Sequence, residues 1–435
     1  MKLKVLIGCS VFVFLTINVF SQTVEQLPTP TRNRIINTNP TPVPTSAQKV
    51  VVITDKLPSP TPTPTPKPSS APLQNPAVVG NPNNPVTIST PQPTFYKPLS
   101  FGEIKRKIAE AKRQMTARPI STAITDSFLI TDVVRIAFYN YKTAKIDYVV
   151  MTKDAFLARD AEISLTTTNG NFVKVRIIRP NGVNTPVMVI DAENRAHLPL
   201  LVQYPVVRDD VYMETAYYIS THPGIVTPEV VNAGRIYIRN TIDLARENLR
   251  KKGYNISPQV TDMAERLAIV EHVDHLRFRT EYQPNVYNDI FALYALNEGQ
   301  TYRYSVSSAG AGGMVQMIPS TYRLIRARYY NIGLMPDFVE GMRNHVNAAQ
   351  AMLLYMQMTW DDLITNDTVS AAIENGIATP AELMSAGYNS NPARLSGYIK
   401  RGGAGWRNLI PRETRIYLQI NASMDKFVPV SPRTK

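Results

Sequence analysis

The chain has 435 residues, with 47 Lys and Arg against 34 Asp and Glu, a formal net charge of +13, and one cysteine, Cys9. Cys9 falls in an N-terminal segment expected to be removed, so disulfides, thiolate metal sites and a cysteine nucleophile are excluded from the mature protein. An exported basic protein meets anionic envelope polymers before nucleic acid, so the charge points to a wall or membrane surface and no nucleic-acid partner is expected.

Met1 to Ser21 carries Lys2 and Lys4, then an apolar stretch from Val5 to Val19, then Val19-Phe20-Ser21. This is the layout of a signal peptide (1–21) cut before Gln22, which predicts an exported protein of the periplasm or cell envelope. The stretch falls short of the ~20 residues of a membrane-spanning helix, so no stable membrane span is expected. Residues 22–98 hold 18 of the 34 prolines, including Pro58-Ser59-Pro60-Thr61-Pro62 and its continuation to Pro68. Alternating prolines remove backbone donors and favour polyproline II, and large apolar residues are sparse, so the segment reads as a disordered tether.

A helical linker is expected over 99–124, because Ile104, Ile108, Ala111 and Met115 recur at helical spacing between charged residues. From residue 125 to 224 the period changes to two, in runs beginning at Val133, Lys145, Glu162, Phe172, Pro186 and Val211, with Asn169-Gly170 as a hairpin signal between two of them. About 100 residues of short strands predict a β-sandwich of immunoglobulin-like type, a candidate surface for an envelope protein partner. Helical punctuation returns at Thr227-Pro228-Glu229 and at Ser257-Pro258, the latter opening a helix with Val260, Met263, Ala264, Leu267 and Val270 on one face. Residues 225–435 are therefore expected to form an all-α domain, in a multidomain chain.

Within that region Glu298 stands at the expected end of a helix and is followed by Ser307, Gly310, Ala311, Gly313 and Gln316. Three further blocks follow in order: Arg343 to Met356, Ala386-Gly387-Tyr388-Asn389-Ser390-Asn391-Pro392, and Leu409 to Tyr417. Together these resemble the lysozyme-like catalytic domain of soluble-type lytic transglycosylases, which cleave peptidoglycan, over roughly residues 257–419. The departures are Gly299, where the family has a serine after the glutamate, Met314-Val315 in place of Leu-Met, and Ser390-Asn391 in place of Ala-Gly.

The resemblance implies a lysozyme-like fold and makes Glu298 the single general acid and base. Ordinary glycosidases use two carboxyl groups. In a lytic transglycosylase the glutamate protonates the glycosidic oxygen and then takes the proton of the C6 hydroxyl of N-acetylmuramic acid, closing a 1,6-anhydro ring. An acid in that role needs an apolar, partly desolvated pocket, and Phe291, Leu293, Tyr294, Leu296 and Met314 are the candidates for its walls.

Ser307, Gly310, Met314, Gln316, Tyr388 and Asn389 are the candidate substrate-binding residues, with peptidoglycan glycan strands as partner. For Tyr388 core packing is an equal alternative, and for Ser307 and Gln316 the turn's own hydrogen bonds are one. Glu271, His272, Asp274 and His275 lack the third and fourth ligands of a metal site, so no metal and no cofactor is expected. A goose-type lysozyme that hydrolyses the same bond, and a non-catalytic wall-binding scaffold, are the competing functions.

Overall fold

The structure is a computed structural model that describes residues 92–118, 132–208 and 210–434. The expected signal segment, the tether up to residue 91, and residues 119–124 of the expected linker lie outside the described residues.

The strands are β1 (Thr94–Phe95), β2 (Val133–Asn140), β3 (Lys145–Thr152), β4 (Glu162–Thr166), β5 (Phe172–Ile177), β6 (Val187–Ile190), β7 (Arg195–Arg208) and β8 (Val211–Tyr218). Before and among them come α1 (Phe101–Ala117) and the single turn α2 (Lys153–Phe156). After the sheet follow α3 (Pro228–Lys251), α4 (Pro258–Val270), α5 (His275–Thr280), α6 (Gln283–Asn297) and α7 (Pro319–Arg328). The chain continues through α8 (Phe338–Arg343), α9 (His345–Ile364), α10 (Asp367–Glu374), α11 (Pro380–Asn389), α12 (Leu395–Gly402) and α13 (Arg412–Phe427).

The β region differs from the expected immunoglobulin-like sandwich. Its eight strands form one curled sheet in the order β3-β2-β7-β6-β5-β4, with β1 and β8 also paired to β7. The 14-residue β7 is the spine. Its first residues pair with β6 and, in parallel, with β1, while Leu198 to Gln203 pair with β2 and Val202 to Arg208 with β8. All of these partners are joined through β7, so the strands form one continuous sheet and not two facing ones. The prolines inside it, Pro199 and Pro205, fall beside the register shifts at Ala137/Phe138 and Val206/Val207, where a missing ladder donor is tolerated. The last residues of the expected tether also belong to the sheet, as β1.

The two ends of the strand path meet at Asp147, which is fully buried on β3. Its carboxylate accepts from Thr167 Oγ1 at 2.6 Å, Asn171 Nδ2 at 2.9 Å and the Tyr148 amide at 2.8 Å, and Thr168 N donates to Tyr148 O at 3.0 Å. Hydrogen bonds of this kind tie the β4–β5 hairpin to β3 and so join the two ends of the curled sheet. The hairpin itself turns at Gly170, whose φ of 80° suits the Asn-Gly pair.

The expectation of a separate all-α domain after the sheet is also overturned. Buried residues of the strands, including Ile136, Phe138, Val202 and Tyr218, share one core with Leu267, Tyr294, Met314 and Trp406 of the later elements. Isolated bridges from Gly312 to Val306 and Met317 add β pairing within the C-terminal half. The result is a mixed α/β body. Its sheet is an internal wall of the same core, because apolar faces of strands and helices that meet can be buried only together. α1 starts with a capping box between Ser100 and Glu103, buries Ile104, Ala111 and Met115, and lies against β7 and β2, where Arg135 Nη2 donates to Met115 O at 2.8 Å. Among the described residues no helix is long and apolar enough to cross a membrane.

One backbone crossing fixes the helices that carry the site. Gly234 of α3 is buried against α6 so closely that a methyl group there would overlap the carbonyl group of Phe291. Gly234→Ala is therefore expected to push α3 from α6 and cost about 3 kcal/mol, the upper end for overpacking. A denaturant melt that leaves the midpoint of this variant at the native value would refute the close crossing.

Candidate functional site

α6 is apolar almost all round, with Val286 to Asn297 buried apart from Asn288 and Asp289, so it runs through the core. Its last residue is tied to the sheet: Asn297 accepts from Ile219 N at 3.0 Å and donates to Ile219 O at 2.8 Å. The next residue is Glu298, with φ 42° and ψ −124°. An L residue with a side chain rarely adopts that conformation, which costs on the order of 1–3 kcal/mol and persists only where surrounding contacts enforce it. Here Thr301, which is fully buried, supplies them. Its amide donates to Glu298 O at 3.0 Å, and its hydroxyl lies between Glu298 O at 2.8 Å and Leu293 O at 3.0 Å. Two more non-glycine residues nearby in sequence, Tyr302 (φ 60°) and Gln316 (φ 46°), also have positive φ.

The reversed backbone turns the Glu298 side chain away from the core. Half of its surface is exposed (51%), and Oε1 accepts from Lys105 Nζ of α1 at 2.5 Å. The expected apolar walls Phe291, Leu293, Tyr294, Leu296 and Met314 are all buried in the core. A carboxyl group this exposed is not enclosed by them, and this part of the expectation is corrected.

The glycine-rich turn is held by its own hydrogen bonds. Ser307 N donates to Ala311 O at 2.9 Å, the Ser307 hydroxyl accepts from Ala311 N at 3.0 Å, and Gly310 N donates to Ser307 O at 2.9 Å. Gln316 Nε2 donates to Gly313 O at 2.8 Å and Ser305 O at 3.2 Å. Met314 is fully buried, and its carbonyl accepts from His272 Nε2 at 2.8 Å, whose ring stacks on Tyr302 with centroids 3.4 Å apart. Tyr388 reaches the turn from α11 and donates to Val315 O at 2.6 Å; burial pushes its phenol well above the ordinary value of 10.0, with the nearby Glu271 adding to the effect.

The structure thus gathers Ser307, Gly310, Met314, Gln316 and Tyr388 into one turn. The hydrogen bonds of Ser307, Gln316 and Tyr388 serve that turn. Asn389 is directed elsewhere, its Oδ1 accepting from Thr414 Oγ1 at 2.9 Å. His272 and Glu271 are similarly engaged, Glu271 accepting from the Tyr417 hydroxyl at 2.7 Å. Among the described residues no three His, Cys, Asp or Glu side chains gather to hold a metal.

Three neighbours of Glu298 are missed by sequence reasoning: Lys105 and Tyr237, which lie outside the resembling segments, and His345. His345 Nε2 bonds Thr301 O at 2.8 Å and its Nδ1 bonds the Tyr237 hydroxyl at 2.8 Å. Its one signal in the sequence is position, a histidine at the start of an otherwise apolar helix.

Gly313 has φ 68°, and a methyl there would overlap the Met342 carbonyl, so Gly313→Ala is expected to cost about 2–4 kcal/mol in a denaturant melt. Gly299 is different: the nearest atom to an added Cβ is Tyr237 Oη at 4.0 Å, and Gly299→Ala is expected within about 1 kcal/mol of native. A second expectation concerns pH. Burial pushes both His222 and His345 from 6.5 down to about 4. Below 6.5 the unfolded chain takes up protons that the folded chain refuses, so stability should fall as pH drops from 6.5 to 4. A melting temperature that stays level across that window would contradict the burial of these rings. No family model matches the chain, and no curated protein and no solved structure matches it either.

Proposed function

We propose that this protein is an exported lytic transglycosylase that cleaves peptidoglycan glycan strands with Glu298 as its single acid and base. The observation that carries the reading is the backbone of Glu298 itself. A glutamate held where glycine is usual, with a half-exposed carboxylate, at the position that matches the transglycosylase acid, is the kind of enforced strain that collects at functional sites. The ordered blocks around Ser307 to Gln316, Arg343 to Met356, Tyr388 and Leu409 to Tyr417 support the same reading.

In this mechanism the Glu298 carboxyl gives its proton to the glycosidic oxygen as the C1–O4 bond of N-acetylmuramic acid breaks. The resulting carboxylate takes the proton of the C6 hydroxyl as O6 bonds to C1. The ring closes, the leaving sugar keeps the first proton, and no water is consumed. Lys105 Nζ donates to Oε1, so a bound strand has to displace it before the carboxyl can face the bond. An exposed ion pair is worth about 0–1 kcal/mol, which glycan contacts readily exceed. Retention at the envelope fits the basic charge of the chain.

The open setting of Glu298 favours one other reading, a scaffold that binds wall glycan without cutting it. Digestion of purified sacculi separates them. The native chain is expected to release muropeptides with 1,6-anhydro ends, and Glu298→Gln to lower that rate at least about 100-fold while still binding. Reducing ends in place of anhydro ends would indicate a hydrolase, and binding without cleavage by either protein would leave the scaffold.

A further inference from the structure

We infer that Tyr237 and His345 are positioning residues for Glu298, fixing the turn that carries the acid and placing a hydroxyl oxygen beside it in the space that Gly299 leaves open. The inference rests on the proposed role of Glu298 and extends it to a residue of α3, outside every segment that resembles the transglycosylases.

The direction of each hydrogen bond follows from its partner. The Thr301 carbonyl can only accept, so His345 Nε2, 2.8 Å away, carries a proton and donates. Burial pushes this imidazole down to about 4, so it is neutral at physiological pH and Nδ1 is bare. The Tyr237 hydroxyl, 2.8 Å from Nδ1, must then donate to it. With its one proton committed, Tyr237 Oη offers lone pairs to its other side. There it is the nearest atom, at 4.0 Å, to a Cβ built on Gly299. The phenol is raised by burial and further by the charge of Glu298, so acid and hydroxyl lie within electrostatic reach of one another.

Two consequences meet at Glu298. Thr301 donates its amide to the Glu298 carbonyl and keeps its hydroxyl 2.8 Å from the same oxygen, so the bond from His345 to Thr301 O braces the strained backbone from behind. The hydroxyl oxygen, with its proton committed to His345, is an acceptor for the Glu298 carboxyl in its protonated form once that group leaves Lys105. A group that only filled space would need neither a fixed tautomer nor a phenol aimed at the residue after the acid.

The test uses the full chain on purified sacculi and measures kcat, KM and the melting temperature. Tyr237→Phe is expected to lower kcat about 10- to 100-fold, the scale of a misplaced catalytic group, with KM within about twofold. His345→Gln should do the same, and the double variant should lose no more than either single one, because the residues act as a unit. Adding Gly299→Ser to Tyr237→Phe should recover part of kcat by restoring a hydroxyl at that spot. Native kcat in Tyr237→Phe overturns the inference, as does a loss that tracks melting temperature and that Gly299→Ser does not relieve. If Tyr237→Phe does not fold, His345→Gln decides on the same criteria. A native chain that releases no muropeptides sinks the enzymatic reading and this inference together, whereas native turnover in the variants sinks the inference alone.

Discussion

The close crossing of α3 and α6 at Gly234 is the constraint on which the candidate site depends. Helix axes usually pack 8–10 Å apart, with side chains setting the distance. Removing the side chain at Gly234 lets the Phe291 backbone approach α3 directly. Tyr237 lies three residues beyond Gly234 and stacks on Tyr294, three beyond Phe291, with ring centroids 6.2 Å apart, and Glu298 follows the end of α6 in the same direction. A larger residue at 234 would separate them without touching either. The crossing explains how a residue on α3 and the residue after α6 come to share one small space.

The sheet supplies the second support. Asn297 is bonded to both backbone groups of Ile219, and Tyr302 N donates to the Tyr218 hydroxyl at 3.1 Å. Glu214 of β8 pairs with Arg343 at 3.0 Å, next to the Met342 carbonyl against which Gly313 packs. These contacts surround the Glu298 turn and the glycine-rich turn from the sheet side. Each net hydrogen bond is worth roughly 1 kcal/mol, so a few of them suffice to hold a glutamate in a conformation that costs on the order of 1–3 kcal/mol. Fusing sheet and helices into one core is therefore useful to the site, since a flexibly attached module could not apply that restraint.

Local features of the fold were legible in the sequence. Thr227 and Ser257 cap α3 and α4 through the amides of Val230 and Val260, with proline at the first helical position in each. The Asn169-Gly170 hairpin and the buried stripe of α1 are also where the patterns put them. The long spine strand was not legible, because it is buried on both faces from Ala196 to Val206 and so lacks alternation, and two prolines interrupt it. Without that strand the remaining runs look like a sandwich. The candidate acid was legible from its register with the later blocks. Its neighbours were not: Lys105 is 193 positions away and Tyr237 lies on a helix whose pattern reports only burial, and no local periodicity encodes contacts of that range.

The structure distributes restraint unevenly at Glu298, and the magnitudes say which part is fixed. Its carbonyl is bonded twice by a buried threonine, which is itself bonded by a buried histidine, so the backbone is held by groups that water cannot replace. Its carboxylate has a lysine for partner, and both side chains are about half exposed, which limits the pair to about 0–1 kcal/mol. The backbone is thus set and the carboxyl is free to turn. A general acid that must give up one proton and collect another within a single reaction gains from that division, because its position is retained while its hydrogen-bond partner changes. The half-exposed setting that departs from the expected apolar pocket is compatible with the proposed acid if the proposed glycan substrate itself excludes water on displacing Lys105.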